Sequence, residues 1–209
     1  FFNHPSNPFE HIVSLLTTHS VLLIDSRVAQ LYRAYLSVPS EKILIIDATE
    51  NFKTLAGVTK ILEFLDKNTL TKSDQLIIVG GGVVQEVGAF AAAIYKRGIP
   101  YIHFPTTLLS MCDSCIGGKT SLNYYDAKNQ LGLYYTPSQI YIDTDFLKTL
   151  PDREIKSGLG EILKLCIIGG KDCLDIYERC VLNSCVTDFT QYAILIHIAL
   201  NIKKSIIEE

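Results

Sequence analysis

Leu76-Ile-Ile-Val-Gly80-Gly-Gly82-Val-Val84 is the stretch of this sequence that says most about its fold. The apolar run is typical of a strand buried on both faces of a sheet, and the glycines end it. A helical pattern follows over Val84–Tyr95. Glycines between a strand and a helix let an anion approach the free N–H groups of the helix start. The turn is therefore either a nucleotide site or only a tight strand-to-helix connection.

Similar apolar runs recur along the first 150 residues and alternate with amphipathic stretches. This alternation predicts a doubly wound, mostly parallel, Rossmann-like α/β sheet. Such sheets bind ligands at the carboxyl ends of their strands, where Asp25, Asp47, Gly80–Gly82 and Pro105–Thr107 fall. The predicted strands are Val21–Ile24, Ile43–Ile46, Leu76–Val79, Tyr101–Phe104 and Ile140–Ile142, and the predicted helices between them are Val28–Ser37, Thr54–Lys67 and Val84–Tyr95.

The pattern changes after Pro151, where only helices are predicted. Asp152–Ile168 reads as a helix with Asp152 as its N-cap, and Gly169-Gly170 ends it. Lys171–Leu182 and Thr187–Ile207 read as further helices. We therefore expect an α/β domain over 1–150 and the beginning of an all-helical domain over 151–209. That second domain is expected to be incomplete, because its last apolar helix has few partners left in the chain.

Bulk composition narrows the class of protein. The chain has 209 residues with 48% hydrophobic residues, a net charge of −3 and a pI near 6.0. This charge argues against nucleic-acid binding, which usually needs a basic face. No run of 18 apolar residues predicts a membrane span, and Phe1–Pro8 lacks the layout of a signal peptide. We therefore expect a cytoplasmic protein.

The cysteines suggest two different interpretations. Cys112 and Cys115 form a single C-x-x-C, which has no second pair for a zinc ribbon but leaves a redox site possible. Cys166, Cys173 and Cys180 are seven residues apart and are predicted to be small buried apolar side chains on a helical face.

A second glycine-rich segment, Asp113–Asn123, reads as a loop that carries an acid, a lysine, hydroxyls and an amide. Gly118-Lys119-Thr120 is not a Walker A motif, because Asp113 stands where that motif needs glycine. Lys119 is either a cation for an anionic ligand or a solvated lysine after a turn. The dinucleotide pattern G-x-G-x-x-G is also not matched at Gly80–Gly82, because Gln85 takes the place of its third glycine.

Two further sites have both a chemical and a plain structural interpretation. Glu161 and Lys164 are three apart on one helix face, so they are either functional or a surface ion pair. His103 ends a predicted strand beside the Pro-Thr-Thr loop. It is either a proton carrier or a partly buried structural histidine.

Taken together, the motifs resemble the dehydroquinate synthase family of sugar-phosphate cyclases. They occur in the family's order along most of the chain. The matching segments are Asp47-Ala-Thr-Glu50-Asn-Phe-Lys53, Gly80-Gly-Gly-Val-Val84, Tyr95-Lys-Arg97-Gly98, Pro105-Thr-Thr-Leu-Leu109, Asp113-Ser114, Gly117-Gly-Lys119-Thr120, Lys128-Asn129, Asp143-Thr-Asp145, Leu147-Lys-Thr-Leu-Pro151, Ser157-Gly158 and Glu161-Ile-Leu-Lys164.

The resemblance implies a carbon–oxygen lyase that uses NAD and zinc, or cobalt, and works as a homodimer. NAD would oxidise a hydroxyl of a seven-carbon sugar phosphate (DAHP), phosphate would leave, and the ring would reopen and close as a carbocycle. NAD would be regenerated at the end. The alternatives are a cyclase acting on sedoheptulose 7-phosphate, an NAD-linked polyol dehydrogenase, and a non-catalytic NAD-binding subunit.

The resemblance also implies roles for individual residues. Those expected to hold NAD are Asp25, Glu50, Lys53, Gly81, Gly82, Glu86, Thr106, Thr107 and Lys128, with Asp113 at the nicotinamide ribose or the substrate hydroxyls. Those expected to bind the anionic substrate and order proton transfers are Lys119, Asn129, Lys164 and Lys203. Arg97 would reach the phosphate held by the neighbouring subunit, and Glu161 would be the carboxylate ligand of the metal.

The sequence departs from the family's pattern at three places. The segments Met111–Cys115 and Ser121–Asp126 differ from the usual residues of the family, which is the reason to keep a divergent cyclase among the alternatives. Gln85-Glu86 stands where the family has Gly-Asp, so Glu86 carries its charge one methylene further out. The chain also stops at Glu209, before the family's Gly-His-Thr segment and a further histidine, which hold two of the three metal ligands. We expect the sequence to be part of a longer protein, or else to lack catalysis.

Overall fold

The central element of the chain is a parallel sheet. A computed structural model describes residues 8–182 and 189–208. Within these ranges, five strands form one parallel sheet in the order β2-β1-β3-β4-β7, and two strands form a separate antiparallel hairpin. The strands are β1 (Ser20–Asp25), β2 (Ile43–Ile46), β3 (Gln75–Gly80), β4 (Tyr101–Pro105), β5 (Lys119–Tyr124), β6 (Ala127–Tyr134) and β7 (Gln139–Ile140).

The helices surround this sheet and follow the predicted pattern with shifted ends. They are α1 (Pro8–Leu15), α2 (Ser26–Leu31), α3 (Leu55–Lys67), α4 (Gly82–Ile94), α5 (Asp152–Gly169), α6 (Lys171–Leu182) and α7 (Phe189–Glu208). No helix of the described ranges combines the length and the apolar character needed to cross a membrane. The predicted doubly wound α/β fold followed by helices is confirmed.

Two of the predicted helix ends are corrected by the structure. The helix predicted to Ser37 stops at Leu31, because Tyr32 leaves helical geometry and stacks its ring on Phe9. Pro151, rather than Asp152, is the N-cap of α5, so the Asp152 carboxylate lies in the first helical turn. Thr187, where the last helix was predicted to begin, lies outside the described residues.

Both faces of the sheet are covered, which explains the nearly continuous apolar strands. In β1, Leu22 and Ile24 face a core made with α1, α2, α5 and α7, while Val21 and Leu23 face a core made with α3 and α4. All four side chains are fully buried. The sheet is thus held between two helical layers, and its polar strand ends remain at the carboxyl edge.

The helices after residue 150 share the first of these cores with the sheet. Ile162 on α5 and Leu195 and Ile196 on α7 pack in the same cluster as Ile77 and Phe104. The helical segment therefore lies directly against the α/β layer and brings its polar residues to one end of it. The division into domains at residue 150 stays a prediction.

His103 lies in the middle of this packing, on β4. It is fully buried, its Nε2 lies 3.4 Å from the Gly80 carbonyl oxygen, and its Nδ1 has no hydrogen-bond partner. Burial lowers the pKa of His103 to about 4. The imidazole is therefore neutral near pH 7, with its Nε2–H donating to Gly80, and the structural interpretation fits better than that of a proton carrier.

Replacing His103 with glutamine is expected to reduce the loss of stability on acidification. The pKa of His103 is about 4 in the folded chain and 6.5 for an ordinary histidine, so between these pH values the unfolded chain binds a proton that the folded chain does not. Stability from the neutral imidazole is present above pH 6.5 and is lost as the pH falls towards 4. Between pH 7 and pH 5 this difference in proton binding lowers the free energy of unfolding by about 2 kcal/mol.

Urea unfolding at both pH values measures this effect. His103→Gln keeps a donor for Gly80 but does not titrate, so its pH 5 penalty is expected to be smaller by that amount. His197→Gln, which alters an exposed histidine, is the control and is expected to keep the penalty of the unmodified protein. An equal penalty in all three proteins would contradict the assignment.

Candidate active site

A cavity lies at the carboxyl edge of the sheet, between β1 and β3. β2 flanks β1 on one side and β3 flanks it on the other, so the chain reverses its direction of winding at this point. The cavity volume is about 770 Å³, within the range of about 300 to 1,000 Å³ typical of cofactor pockets. Among the residues that line it are eight of the predicted NAD residues: Asp25, Glu50, Lys53, Gly81, Gly82, Glu86, Thr106 and Thr107.

Gly80–Gly82, the turn between β3 and α4 that we call the glycine turn, fits a phosphate group. Gly81 is the N-cap of α4 and supplies no side-chain cap, so the first N–H groups of the helix have no side-chain acceptor. A Cβ on Gly81 would lie 3.0 Å from Thr107 Cγ2, and a Cβ on Gly80 would lie 2.7 Å from Val84 Cβ. The turn therefore needs glycine for its close packing, and the helix start offers donors and a favourable dipole to an anion.

Lys53 and Glu86 form a mostly buried ion pair on one wall of the cavity. Lys53 is 6% exposed, its ammonium contacts the Glu86 carboxylate, and it donates to Asn129 Oδ1 at 2.6 Å. Ser121 Oγ lies 3.0 Å from Glu86 Oε2 and 2.9 Å from Asn129 Oδ1, so it can donate to either. Sequence reasoning predicted Lys53, Glu86 and Asn129 but missed Ser121.

The hairpin of β5 and β6 closes the same side of the site through Asn123. Its Nδ2 donates to Glu50 Oε2 at 2.9 Å, and its Oδ1 accepts from the Asn129 N–H at 3.0 Å. The register shifts between Leu122 and Tyr124, so Asn123 stands at an irregularity of the ladder. Such irregularities redirect side chains near functional sites. Lys128 stays at the rim, with its Nζ 4.0 Å from Glu50 Oε2.

The prediction that Asp113–Asn123 is a loop was wrong at both ends of this segment. Ser110–Ser114 forms a π-helical turn, and β5 begins at Lys119. Thr120 and Leu122 are buried, whereas Lys119 is exposed, and this alternation is the signal of a strand that the glycines obscured. Because Lys119 begins a strand and not a helix, the rejection of a Walker A motif is confirmed.

Asp113 and Lys203 meet beside the glycine turn. Lys203, on α7, donates to the Asp113 backbone oxygen at 2.7 Å and forms an ion pair with the Asp113 carboxylate. The next residue, Ser114, has its Oγ 3.9 Å from the position that a Cβ on Gly82 would take. The π-helical turn thus holds this charged pair close to the start of α4, just outside the lining of the cavity.

Glu161 and Lys164 form a second charged pair nearby on α5. Their ion pair has the spacing of three that the sequence predicted. The hydrogen bond to Glu161 raises the pKa of Lys164, and the charge of Asp113 adds to this rise. α5 also packs against the π-helical turn, where Cys112 Sγ lies 3.9 Å from the Gly158 carbonyl oxygen, so the two charged pairs stand on neighbouring elements.

The described residues do not by themselves form a metal site. Residues 8–182 and 189–208 contain no group of three His, Cys, Asp or Glu side chains placed to hold a metal ion. A catalytic zinc ion needs three protein ligands, so Glu161 with its described neighbours does not form such a site.

Arg97 is not brought to the cavity. It lies in a short turn before β4, at the edge of the sheet opposite the glycine turn, and it is exposed. Lys96 and Arg97 have φ values of 49° and 64°, in the left-handed region that is costly for side chains other than glycine. Within one chain, Arg97 therefore stands apart from the other predicted site residues.

The interpretation of Cys112 and Cys115 as a redox pair is not supported. Both are free and buried, and burial raises the pKa of Cys112 and raises that of Cys115 to about 12. Thiols of this kind form little of the reactive thiolate. The predicted structural role of the other three holds in part: Cys166 and Cys180 are buried and Cys173 is half-buried, on two helices.

The sheet, the glycine turn and the cavity define a class: α/β proteins that bind a ligand where a parallel sheet reverses its winding. Within it, the chain belongs to the 3-dehydroquinate synthase family, because residues 43–157 match the family model described as 3-dehydroquinate synthase N-terminal. It is 37% identical over 196 residues to the 3-dehydroquinate synthase of Dictyoglomus turgidum (strain DSM 6724 / Z-1310), which covers 94% of this chain and 54% of that protein. The chain thus spans about half the length of this relative.

Solved structures of related cyclases share the fold. The 2-epi-5-epi-valiolone synthase ValA of Streptomyces hygroscopicus subsp. jinggangensis 5008, with NAD⁺ and Zn²⁺ bound, superposes with a TM-score of 0.79 at 28% identity, over 90% of this chain and 55% of that one. A 2-deoxy-scyllo-inosose synthase complexed with carbaglucose-6-phosphate, NAD⁺ and Co²⁺ superposes with a TM-score of 0.77 at 26% identity, over 96% of this chain and 57% of that one.

Proposed function

We propose that the full-length protein is a 3-dehydroquinate synthase, which converts DAHP to a carbocycle with elimination of phosphate and uses NAD and a divalent metal. The observation that carries this proposal is the clustering of eight family-predicted NAD residues around one cavity, with the Asp113–Lys203 pair beside it. NAD, when bound, would supply a hydride acceptor that is restored at the end of each turnover. The NAD⁺ and the Zn²⁺ or Co²⁺ in two related cyclase structures support this choice of cofactors.

The cofactor is expected to be held by the glycine turn and the wall opposite it. The free N–H groups at the start of α4 suit the pyrophosphate, since they offer both donors and positive potential. Asp25 and Glu50 offer carboxylates to hydroxyl groups. Asp25 already accepts from the Arg27 N–H at 2.7 Å, which fixes its orientation towards the cavity. Thr106 and Thr107 complete the floor.

The substrate side is formed by the charged groups of three elements. Lys203 and Lys164 suit a phosphate or carboxylate, and the neighbouring carboxylates of Asp113 and Glu161 hold these ammonium groups in place. Asp113 can also accept from a substrate hydroxyl, because its side chain is 30% exposed. Lys119 and Asn129 would contribute from the hairpin.

Several parts of the proposal concern the whole protein. Glu161 would be one ligand of the metal, completed by ligands outside the described residues. Arg97 would act on the phosphate bound by a second subunit, which makes a homodimer the working unit. Its position at the far edge of the sheet supports this assignment, because it is exposed and away from its own cavity. We place the protein in the cytoplasm, with the domain division at residue 150.

Phosphate release from two substrates tests the proposal. With NAD and Zn²⁺ present, the full-length protein is expected to release phosphate from DAHP and to be much slower with sedoheptulose 7-phosphate, which lacks the carboxylate. The reverse preference would identify a divergent cyclase. No release from either substrate, by a protein that is folded and loaded with metal, would refute the proposed function.

A further inference from the structure

A pair of reciprocal hydrogen bonds joins the glycine turn to the π-helical turn. Gln85, in the first turns of α4, donates from Nε2 to the Ser114 carbonyl oxygen at 2.6 Å. Ser114 Oγ donates back to Gln85 Oε1 at 2.8 Å. Gln85 is 1% exposed, so its amide has exchanged water for these two partners. We refer to this pair as the Gln85–Ser114 clasp.

The clasp lies between the two functional parts of the site. Gln85 follows Gly81 and Gly82 in the same helix, and its backbone N–H donates to the Gly81 carbonyl oxygen at 3.1 Å. Ser114 follows Asp113, whose backbone oxygen and carboxylate both contact the Lys203 ammonium. A continuous line of hydrogen bonds, with the peptide bond between Asp113 and Ser114, therefore runs from the glycine turn through the clasp to α7.

The π-helical turn that ends at Ser114 depends on the Gln85–Ser114 clasp. Ser110–Ser114 is a π-helical turn closed by the Cys115 N–H, which donates to the Ser110 carbonyl oxygen at 3.1 Å. Such turns are rare and are frequently found at functional sites. The Ser114 carbonyl lies at the end of this turn, and Gln85 supplies its donor. A residue without an amide at position 85 would leave this carbonyl without that donor.

We propose that Gln85 and Ser114 are positioning residues that couple cofactor binding at the glycine turn to the placement of Asp113 and Lys203. This rests on the proposed function, because it takes NAD as the ligand of the turn and the charged pair as the groups that meet substrate. Neither residue needs to contact a reacting atom. A displacement of about 1 Å in a reacting group can cost about 100-fold in rate, so the clasp has a kinetic consequence.

Hydrogen exchange of the amides in residues 110–118, with and without NAD, measures the coupling directly. In the unmodified protein, NAD is expected to slow their exchange by about tenfold. In Gln85→Met, which keeps the volume but can form neither bond, NAD is expected to slow it by less than about twofold, with NAD affinity kept within about threefold. Should Gln85→Met fail to fold, Ser114→Ala tests the same bond from the other side.

Steady-state kinetics provide the second measurement. Gln85→Met is expected to lower kcat by about 30-fold with little change in KM for NAD. Ser114→Thr keeps the hydroxyl and is expected to retain near-normal kcat, and Gln85→Met/Ser114→Ala is expected to be no slower than Gln85→Met alone. Tyr95→Phe, which removes a buried hydroxyl at the other end of α4, is the control for a purely structural loss and is expected to keep kcat.

The outcomes separate the two proposals. Equal protection by NAD in the unmodified protein and in Gln85→Met, together with normal phosphate release, would overturn the clasp alone. Protection that depends on Gln85, without phosphate release from any substrate, would support the clasp and refute the proposed reaction. If NAD does not bind the unmodified protein, both proposals fail.

Discussion

Replacing Lys53 with methionine is expected to weaken NAD binding by about 100-fold. It is also expected to lower the free energy of unfolding by about 3 kcal/mol. Lys53 is 6% exposed and its ammonium contacts both Glu86 and Asn129. Methionine fills the same space but leaves the Glu86 carboxylate on the cavity wall without its cation. That uncompensated charge would repel the phosphates of NAD and would itself be poorly solvated.

Two further variants separate the causes of this effect. Lys53→Met/Glu86→Leu removes the orphaned charge, so it is expected to recover most of the stability but not the NAD affinity. Lys60→Met removes an exposed cation on α3 and is the matched control, with both quantities expected to stay near those of the unmodified protein. Calorimetric titration with NAD and urea unfolding give the two quantities. NAD affinity that is unchanged in Lys53→Met would show that the cavity wall does not hold the cofactor.

Replacing Lys203 with methionine is expected to slow phosphate release by about 1,000-fold. NAD affinity is expected to change by less than about threefold, because Lys203 reaches Asp113 and not the cavity lining. The loss would have two parts. The site would lose a cation for the anionic substrate, and Asp113 would lose the partner that holds both its backbone oxygen and its carboxylate.

The adjacent residue offers a close control for this variant. Lys204 lies on the same helix and is exposed, with its Nζ 3.7 Å from Glu208. Lys204→Met is therefore expected to keep at least half of the rate. Rates that fall equally in Lys203→Met and Lys204→Met would point to a general effect of charge on α7, and would count against a specific role of Lys203.

The layer order and several residues of the cavity were predictable from the sequence for a physical reason. Strands buried on both faces must be apolar throughout, so their ends are marked by the first polar residues and glycines. Asp25, the glycine turn at Gly80 and the Thr106-Thr107 pair stand at such ends, and parallel strands bring those ends to one edge. The resemblance then added Glu50, Lys53 and Glu86, which the structure brings to the same cavity.

The hairpin and the π-helical turn were not predicted, because their signals are weak or non-local. Among the described residues β5 pairs with β6 alone, so half of its side chains face away from the core and its polar face resembles a loop. The clasp joins Gln85 to Ser114, which are 29 positions apart in sequence. Position 85 was recognisable as a departure from the family pattern, but its partner depends on how the π-helical turn folds.

The central claim is that NAD is used and restored in each turnover by a cyclase. The most direct test counts phosphate released from DAHP by the full-length protein with Zn²⁺ and an amount of NAD equal to the enzyme, while NADH is followed by its absorbance. The account predicts many phosphates released per NAD with no accumulation of NADH. NADH that accumulates in step with substrate consumption would contradict it in favour of a polyol dehydrogenase, and NAD binding without any turnover would contradict it in favour of a non-catalytic subunit.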